Sequence, residues 1–320
     1  MPDAVAIDFG GTNIVGLRVA ADGEVLARRE APSRVSEGAE AVMARIEAVA
    51  RGLLGGGTRG VGIASPGLID PERGICRNEC ANVPGWKGMR LAGRLAEATG
   101  LPAFAESDGN AAALAETWIG AAHGERVVLL LTLGTGIGGG IVSDGRIWRG
   151  ASNGAGEFGH ITIDYRGRRC PCGSIGCFEQ HASAAAVGRA ARERVASGAS
   201  SAMLDLAGGD VQKIEAKTVF DAARTGDVVA RTLVRETAVA LAAGIGSLVN
   251  AFNPSAVVLA GGMALAGEAL LVPVREELAA GRALPVMLAE CKLLASALGS
   301  DAVALGAAKV VFDRLEEGRG

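Results

Sequence analysis

Val5-Ala6-Ile7-Asp8-Phe9-Gly10-Gly11-Thr12-Asn13, continued by Ile14 to Ala20 and Asp22-Gly23, is the stretch on which the fold turns. Val5 to Phe9 is apolar and short, which suits a buried strand. Gly10 to Asn13 reads as a tight turn, Ile14 to Ala20 as a returning strand, and Asp22-Gly23 as a hairpin signal into Glu24-Val25-Leu26. The same order of signals comes back further along. Leu129-Leu130-Leu131-Thr132-Leu133 is a strand, Gly134-Thr135-Gly136 a turn, Gly140-Ile141-Val142 a returning strand, and Asp144-Gly145 the hairpin signal. Two copies of one pattern predict an internal duplication, each copy opening a lobe, with the glycine turns facing each other across a cleft.

A glycine turn behind a buried strand exposes backbone N–H groups that can converge on phosphate oxygens. In the first turn Asp8 adds a carboxylate, which would repel phosphate directly; its sensible use is to hold Mg2+, through water. Neither turn is a Walker loop, because no Gly-Lys-Ser/Thr follows. Gly134-Thr135-Gly136-Ile137-Gly138-Gly139 does satisfy the G-x-G-x-x-G string of dinucleotide sites. A dinucleotide fingerprint opens a helix, however, and here a hairpin strand follows.

Outward from these turns the chain alternates strands and helices. Ser36 to Leu54 has helical spacing, with Ser36 the candidate N-cap. Gly60 to Ser65 is a buried strand, Met89 to Thr99 a helix closed by Gly100, Ala103 to Ser107 a strand, and Gly109 to Trp118 an alanine-rich helix. Thr237 to Gly267 carries no charge and is long enough to span a bilayer. Asn250, Asn253, Pro254 and Gly261-Gly262 break it instead into a buried helix, a turn, a buried strand and a glycine turn. No membrane partner is expected.

The bulk numbers fit an ordinary globule: 320 residues, 49% hydrophobic, 21% charged, net charge −3. With 3% aromatic residues and no basic excess, a nucleic-acid partner is not expected. The Met1-Pro2-Asp3 start lacks the basic and apolar regions of a secretory signal, so a cytoplasmic location is expected.

Three of the six cysteines, Cys170, Cys172 and Cys177, crowd together just after His160. Three thiolates and an imidazole make a closed tetrahedral zinc shell of structural type. His181 is a substitute fourth ligand. Gly154-Ala155-Gly156-Glu157-Phe158-Gly159-His160 is too glycine-rich for regular helix, so Glu157 and His160 are expected on a loop held by the metal, with Glu179 held from the other side. Rigid acceptors of this kind suit a polyol, although either Glu read alone also suits a solvated surface. Cys76 and Cys80 have no matching pair of ligands nearby and read as buried, idle thiols.

Asp108, in Ala105-Glu106-Ser107-Asp108-Gly109-Asn110, ends a strand and opens a helix. The carboxyl ends of strands line ligand crevices in α/β folds, and a hydroxyl attacking a phosphoryl group needs a carboxylate to accept its proton. An Asp capping the helix would stand at the same place.

Together these segments resemble the ROK family of sugar kinases, named for repressor, open reading frame and kinase. The resemblance runs from Ile7 to about Ala308. It is carried by Asp8-Phe9-Gly10-Gly11-Thr12, Ser65-Pro66-Gly67, Asn82-Val83-Pro84-Gly85-Trp86, Glu106-Ser107-Asp108-Gly109-Asn110, Leu133-Gly134-Thr135-Gly136-Ile137-Gly138, Gly156-Glu157-Phe158-Gly159-His160, the Cys170 cluster with Glu179, and Leu259-Ala260-Gly261-Gly262. It implies an α/β, actin-like (ribonuclease H-like) duplicated fold of two lobes. Residues 1–119 would form one lobe, completed by a C-terminal helix over 300–320, and 120–299 the other, with the zinc and nucleotide segments.

The resemblance further implies ATP with Mg2+ at Asp8, Gly10, Gly11, Thr12, Asn13, Gly134, Thr135, Gly136 and Gly138, with Gly261 and Gly262 near the adenosine. Asp108 would be the base for the 6-hydroxyl of a hexose, and Gly67, Asn82, Ser107, Glu157, His160 and Glu179 would meet the sugar. His160, Cys170, Cys172 and Cys177 would hold zinc, His160 giving its other nitrogen to the sugar. Similar kinases are often dimers, so a homodimer or higher oligomer is expected. Ser107 stands where they usually have Asn, which opens the choice of hexose: glucose first, as the Asn82 segment looks glucokinase-like, then N-acetylmannosamine or N-acetylglucosamine. Polyphosphate in place of ATP stays open as donor. ROK-like repressors carry an added N-terminal helix-turn-helix, whereas this chain enters its first strand by Val5, so turnover is expected ahead of sugar sensing without it.

Overall fold

The computed structural model describes residues 2–80 and 83–318. Asn82 lies outside them. The chain folds as two compact units, one of residues 1–124, 140–155 and 300–320, the other of 125–139 and 156–299. Residues 120–124 and 140–155, expected in the second lobe, thus cluster with the first unit.

The first sheet contains β1 (Asp3–Phe9), β2 (Asn13–Ala20), β3 (Val25–Pro32), β4 (Thr58–Ser65) and β7 (Ala103–Ser107), in the order β3-β2-β1-β4-β7; β5 (Ile69–Asp70) and β6 (Ile75–Cys76) form a small hairpin. The second contains β8 (Val127–Leu133), β9 (Ile137–Ser143), β10 (Arg146–Ile147), β11 (Ala256–Ala260) and β12 (Lys292–Ala295), in the order β10-β9-β8-β11-β12. Counted along the chain, both sheets therefore run third, second, first, fourth, fifth. In each, the fourth strand pairs parallel to the first and to the fifth. The duplication expected from the two strand-turn-strand segments is a duplication of whole sheets.

Burial follows pairing. β1, β4, β8 and β11 are nearly all buried, as inner parallel strands must be, whereas the edge strand β3 carries Arg28, Arg29 and Glu30 and is largely exposed. Asp144 and Gly145 both take positive φ, +48° and +76°, which is the hairpin backbone their sequence announces. Ser36 does not cap a helix. The helix Ala39–Arg51 starts behind Gly38, whose φ of +91° suits only glycine, and Ser36 sits in a short 3-10 turn before it. Gly100 closes Leu91–Thr99 in the left-handed region, as expected.

The uncharged stretch resolves into the helix Val228–Phe252, a left-handed Asn253, β11 and Gly261. That helix is long and apolar enough to cross a membrane, but it packs against the helices Ala216–Arg224 and Glu268–Ala279. In the first unit the C-terminal helix Ala302–Glu317 lies on the alanine-rich helix Asp108–Trp118. Gly306 allows this, since any side chain there would run into the Ala111 carbonyl. The close packing holds the start of Asp108–Trp118 at the carboxyl end of β7.

Candidate active site

In the first unit β1, β4 and β7 run parallel, so their carboxyl ends share one edge. That edge gathers Asp8 with the Gly10–Asn13 turn, Ser65-Pro66-Gly67, and Ser107-Asp108. Asp108 is the first helical residue and is exposed, and the Gly109 N–H donates to its Oδ1 at 2.7 Å. Ser107, half-buried, holds the N-cap position, and its side chain makes no capping bond.

Beneath them lies Glu106, 1% exposed. Its Oε2 accepts from Arg149 Nε at 2.8 Å and Nη2 at 2.6 Å, and its Oε1 accepts from the Ser107 N–H and Asn110 Nδ2, both at 3.0 Å. A buried carboxylate with every lone pair engaged fixes the strand-to-helix junction on which Asp108 stands.

Asp8 has its carboxyl pushed up to about 7, chiefly by burial and further by Asp108 and Asp301. Three acids in one neighbourhood favour a cation, and this donor set fits a hydrated Mg2+. Asp301 carries no motif in the sequence; it precedes the C-terminal helix and pairs with Arg28 at 2.7 Å. The Gly10–Asn13 turn is closed by Gly10 N–H to the Asn13 carbonyl at 3.0 Å. The buried Ser33 secures it, donating from N–H to the Thr12 carbonyl at 2.8 Å and from Oγ to the Gly10 carbonyl at 2.6 Å. Gly11, Thr12 and Asn13 remain exposed.

The Ser65–Gly67 loop is tied down from two sides. Trp86, fully buried against Phe9 with ring centroids 4.7 Å apart, donates from Nε1 to Ser65 Oγ at 3.0 Å. Asn78 Oδ1 accepts from the Leu68 N–H at 2.7 Å. The tryptophan of the Val83–Trp86 segment is therefore a fastening of the loop.

In the second unit the Gly134 N–H bonds to the Gly136 carbonyl at 3.0 Å, and the Gly134 carbonyl accepts from the Ala184 N–H at 2.8 Å. The helix Ala184–Ala196, capped by Ser183 Oγ, thus begins against this turn and brings its positive dipole end there, a good environment for phosphate. Gly261, at φ +85°, packs its Cα on the Leu133 backbone, where an added Cβ would lie 2.8 Å from the carbonyl oxygen. A cavity of about 620 Å³ opens between the two turns, lined by Gly134, Thr135, Glu215, Phe220, Gly262 and Met263 among others. Its size and largely apolar wall suit a nucleoside, and Glu215, Phe220 and Met263 have no recognisable signature in the sequence.

The metal-ligand candidates come together. One ligand atom each of His160, Cys170, Cys172 and Cys177 lies within 4.8 Å of all the others. Cys172 and Cys177 sulfurs are 3.6 Å apart, and Cys170 Sγ is 3.8 Å from His160 Nδ1. A tetrahedron with zinc–sulfur bonds of ~2.3 Å has edges of ~3.8 Å, so this donor set fits zinc. His181 is not part of the cluster.

His160 Nε2 faces the opposite way, 3.9 Å from Glu157 Oε2, and Glu179 Oε1 lies 3.2 Å from Cys170 Sγ. Glycines let these groups crowd the phosphate turn. A Cβ at Gly136 would sit 2.6 Å from Glu179 Oε2, and side chains at Gly139 and Gly159 would strike Phe158 and Ile137. The second unit thus sets the Glu179 carboxylate directly against the phosphate-type turn, with the exposed His160 and Glu157 beside Glu179 and the cysteines.

The chain is also similar to known proteins along nearly its whole length. The ROK family model matches residues 4–314. A glucokinase of Thermotoga maritima is 39% identical over 313 residues, covering 97% of this chain and 98% of that one. A ROK family glucokinase from Streptomyces griseus, solved with glucose and AMPPNP, superposes with a TM-score of 0.83 at 36% identity, covering 96% of this chain and 98% of that chain. A ROK hexokinase from Thermus thermophilus gives a TM-score of 0.80 at 34% identity, covering 98% and 99%.

Proposed function

The chain belongs to the ROK family, and on that premise we propose that it transfers the γ-phosphoryl group of ATP to the 6-hydroxyl of glucose. The observation that carries the reading is Gly136. Its missing side chain lets Glu179, a carboxylate suited to sugar hydroxyls, lie directly against a turn suited to phosphate. Donor and acceptor chemistry are built into one packed group.

In this reading Asp108 accepts the proton of the attacking hydroxyl, as phosphoryl transfer requires. The Glu106–Arg149 pair keeps Asp108 in place from below. Glu157, Glu179 and His160 Nε2 bind sugar hydroxyls, with Gly67, Asn82 and Ser107 contributing further contacts. The backbone N–H groups of Gly10–Asn13 and Gly134–Gly138 hold phosphates, and the cavity beside Gly261-Gly262 takes the adenosine. Asp8 would hold Mg2+, which neutralises phosphate charge when bound. Zinc on His160, Cys170, Cys172 and Cys177 would act as a clip that orients the acids. A cytoplasmic homodimer goes with this reading, and light scattering tests the oligomer.

Ser107 favours one second reading. A side chain shorter than the usual Asn leaves room at the sugar, and an N-acetylhexosamine would use it. A coupled assay of ADP release over glucose, mannose, N-acetylglucosamine and N-acetylmannosamine decides. Glucose is expected to give the highest kcat/KM; a tenfold preference for an N-acetylated sugar would install the second reading, and binding without turnover would make the protein a sensor.

A further inference from the structure

Cys76 and Cys80, which look idle in the sequence, sit under the sugar loop. Their sulfurs are 3.9 Å apart, and both press on Gly67, whose added Cβ would lie 2.8 Å from Cys80 Sγ and 3.0 Å from Cys76 Sγ. Cys80 Sγ also reaches the Pro66 carbonyl at 3.4 Å. Between the two cysteines, Asn78 holds Leu68 through its Oδ1. No metal cluster of His, Cys, Asp or Glu includes this pair among the described residues. The two thiols are therefore packed against the loop and against each other.

We propose that Cys76 and Cys80 are a redox-sensitive dithiol whose oxidation to a disulfide by a peroxide reshapes the Ser65–Gly67 loop and weakens sugar binding. The functional half rests on the reading that Gly67 approaches the sugar. The thiolate of the pair attacks one peroxide oxygen; the O–O bond breaks and hydroxide leaves, taking a proton to become water. The second sulfur then attacks the resulting sulfenic sulfur, the S–O bond breaks, and a second water departs with the remaining thiol proton. Two thiols lose two electrons and one peroxide becomes two waters.

The chemistry is favoured by the pair itself, since the hydrogen bond from Cys80 lowers the Cys76 thiol to about 7 while Cys80 is held protonated. Cys76 is wholly buried and Cys80 half-buried, so a small oxidant has one side from which to enter. Bond formation must bring the sulfurs from 3.9 Å to about 2 Å, which pulls at least one of them off the Gly67 backbone. With that support gone, the left-handed Gly67, at φ +99°, is free to move.

The sequence supplies a direct readout. Trypsin cuts after Arg73, Arg77 and Lys87, so Cys76 and Cys80 leave on different peptides unless they are joined. The zinc-loaded full chain is treated with equimolar hydrogen peroxide, mapped without reduction, and assayed with glucose. A joined peptide should appear, with the glucose KM raised at least tenfold, kcat changed less than threefold, and both reversed by dithiothreitol. Cys80→Ser and, independently, Cys76→Ser, each of which keeps a γ atom against Gly67, should start with near-normal KM and keep it in peroxide.

Absence of the joined peptide overturns the proposal, as does a joined peptide with unchanged KM. Equal loss in Cys80→Ser also overturns it, moving the target to the zinc thiolates. If the reduced chain fails to phosphorylate any sugar, the kinase reading falls instead; the peptide map then still decides the dithiol, and sugar-induced Tm shifts before and after oxidation decide its effect on the loop.

Discussion

The turn at Gly10–Asn13 and the turn at Gly134–Gly138 stand at equivalent places in two sheets of the same strand order, yet they are secured by opposite means. The first is held by a side chain, Ser33, with Gly11 facing open space. The second is held from outside the turn, with the Glu179 carboxylate pressed against Gly136, where only glycine fits, and the Ala184 N–H bonded to the Gly134 carbonyl. Duplication copied the strands and the bends. In the proposed reading the chemistry lies in what each half added: a carboxylate at the end of β7 in one, and acids beside the His160–Cys170–Cys172–Cys177 cluster in the other.

The largest effect should come from removing the first half's addition. Asp108→Ala is expected to lower kcat by roughly 10³-fold with the Tm within a few degrees of wild type, since a positioned base contributes 10²–10⁴-fold. Turnover surviving at a tenth of the wild-type rate would take Asp108 out of the mechanism. Next comes the second half. Gly136→Ala must displace the Glu179 carboxylate, and losing a hydrogen bond to a charged group costs about 2 kcal/mol, roughly thirtyfold in kcat/KM for the sugar. Gly11→Ala is the matched control. No protein atom lies within 4 Å of its new methyl, so the Tm should not move, and any kinetic loss should fall on the nucleotide KM. Equal sugar effects in the two variants would erase the contrast.

Stripping the metal sharpens the same point. With the clip removed, Glu157, His160 and Glu179 lose their anchor, and the glucose KM should rise about tenfold, as losing support around a site typically does, along with a fall in Tm. The nucleotide KM should change less, because the cavity beside Gly261-Gly262 is also lined by Glu215, Phe220 and Met263, which lie on other elements. Unchanged sugar affinity in the metal-free protein would reduce the cluster to a staple.

What could be read in the sequence, and what could not, divides along the range of the interactions. Strands, glycine turns, the Gly100 cap and the broken apolar stretch are encoded within a few residues and were legible there. So was the His160–Cys170–Cys172–Cys177 cluster, because its three cysteines are neighbours in sequence. Ser36 was misread because local capping preference could not foresee that Gly38, with its positive φ, would take the turn. Ser33, Asp301, Arg149 and Phe220 left no local trace, since each meets its site through long-range packing. Residues 140–155 cluster with the first unit for a similar reason: Arg149 pairs with Glu106, a partner 43 positions away. Cys76 and Cys80 lacked a metal pattern, and nothing local says that both sulfurs rest on Gly67.

The smallest expected effect concerns Asp8, the one acid at the end of a first strand with no counterpart in the second turn. Its carboxyl rises from 3.8 to about 7 on folding, mainly through burial and then through Asp108 and Asp301. The folded chain therefore keeps a proton that the unfolded chain has lost between those values, and stability must fall as pH rises across that window. The contribution is fully present below about 4 and gone above about 7. Relaxation around a half-buried site will cut its size, so a decline of a few degrees in Tm between pH 5 and pH 8 is expected in the metal-free, nucleotide-free protein. Asp8→Asn has no proton to release, and its Tm curve should lie flatter by that amount. Mg2+ with nucleotide competes with the same proton, so the stabilisation it gives wild type should grow from pH 5 to pH 7 and then level. Parallel Tm curves for wild type and Asp8→Asn would mean that the acids around Asp8 are relaxed by water, and that the first turn differs from the second in its fastening alone.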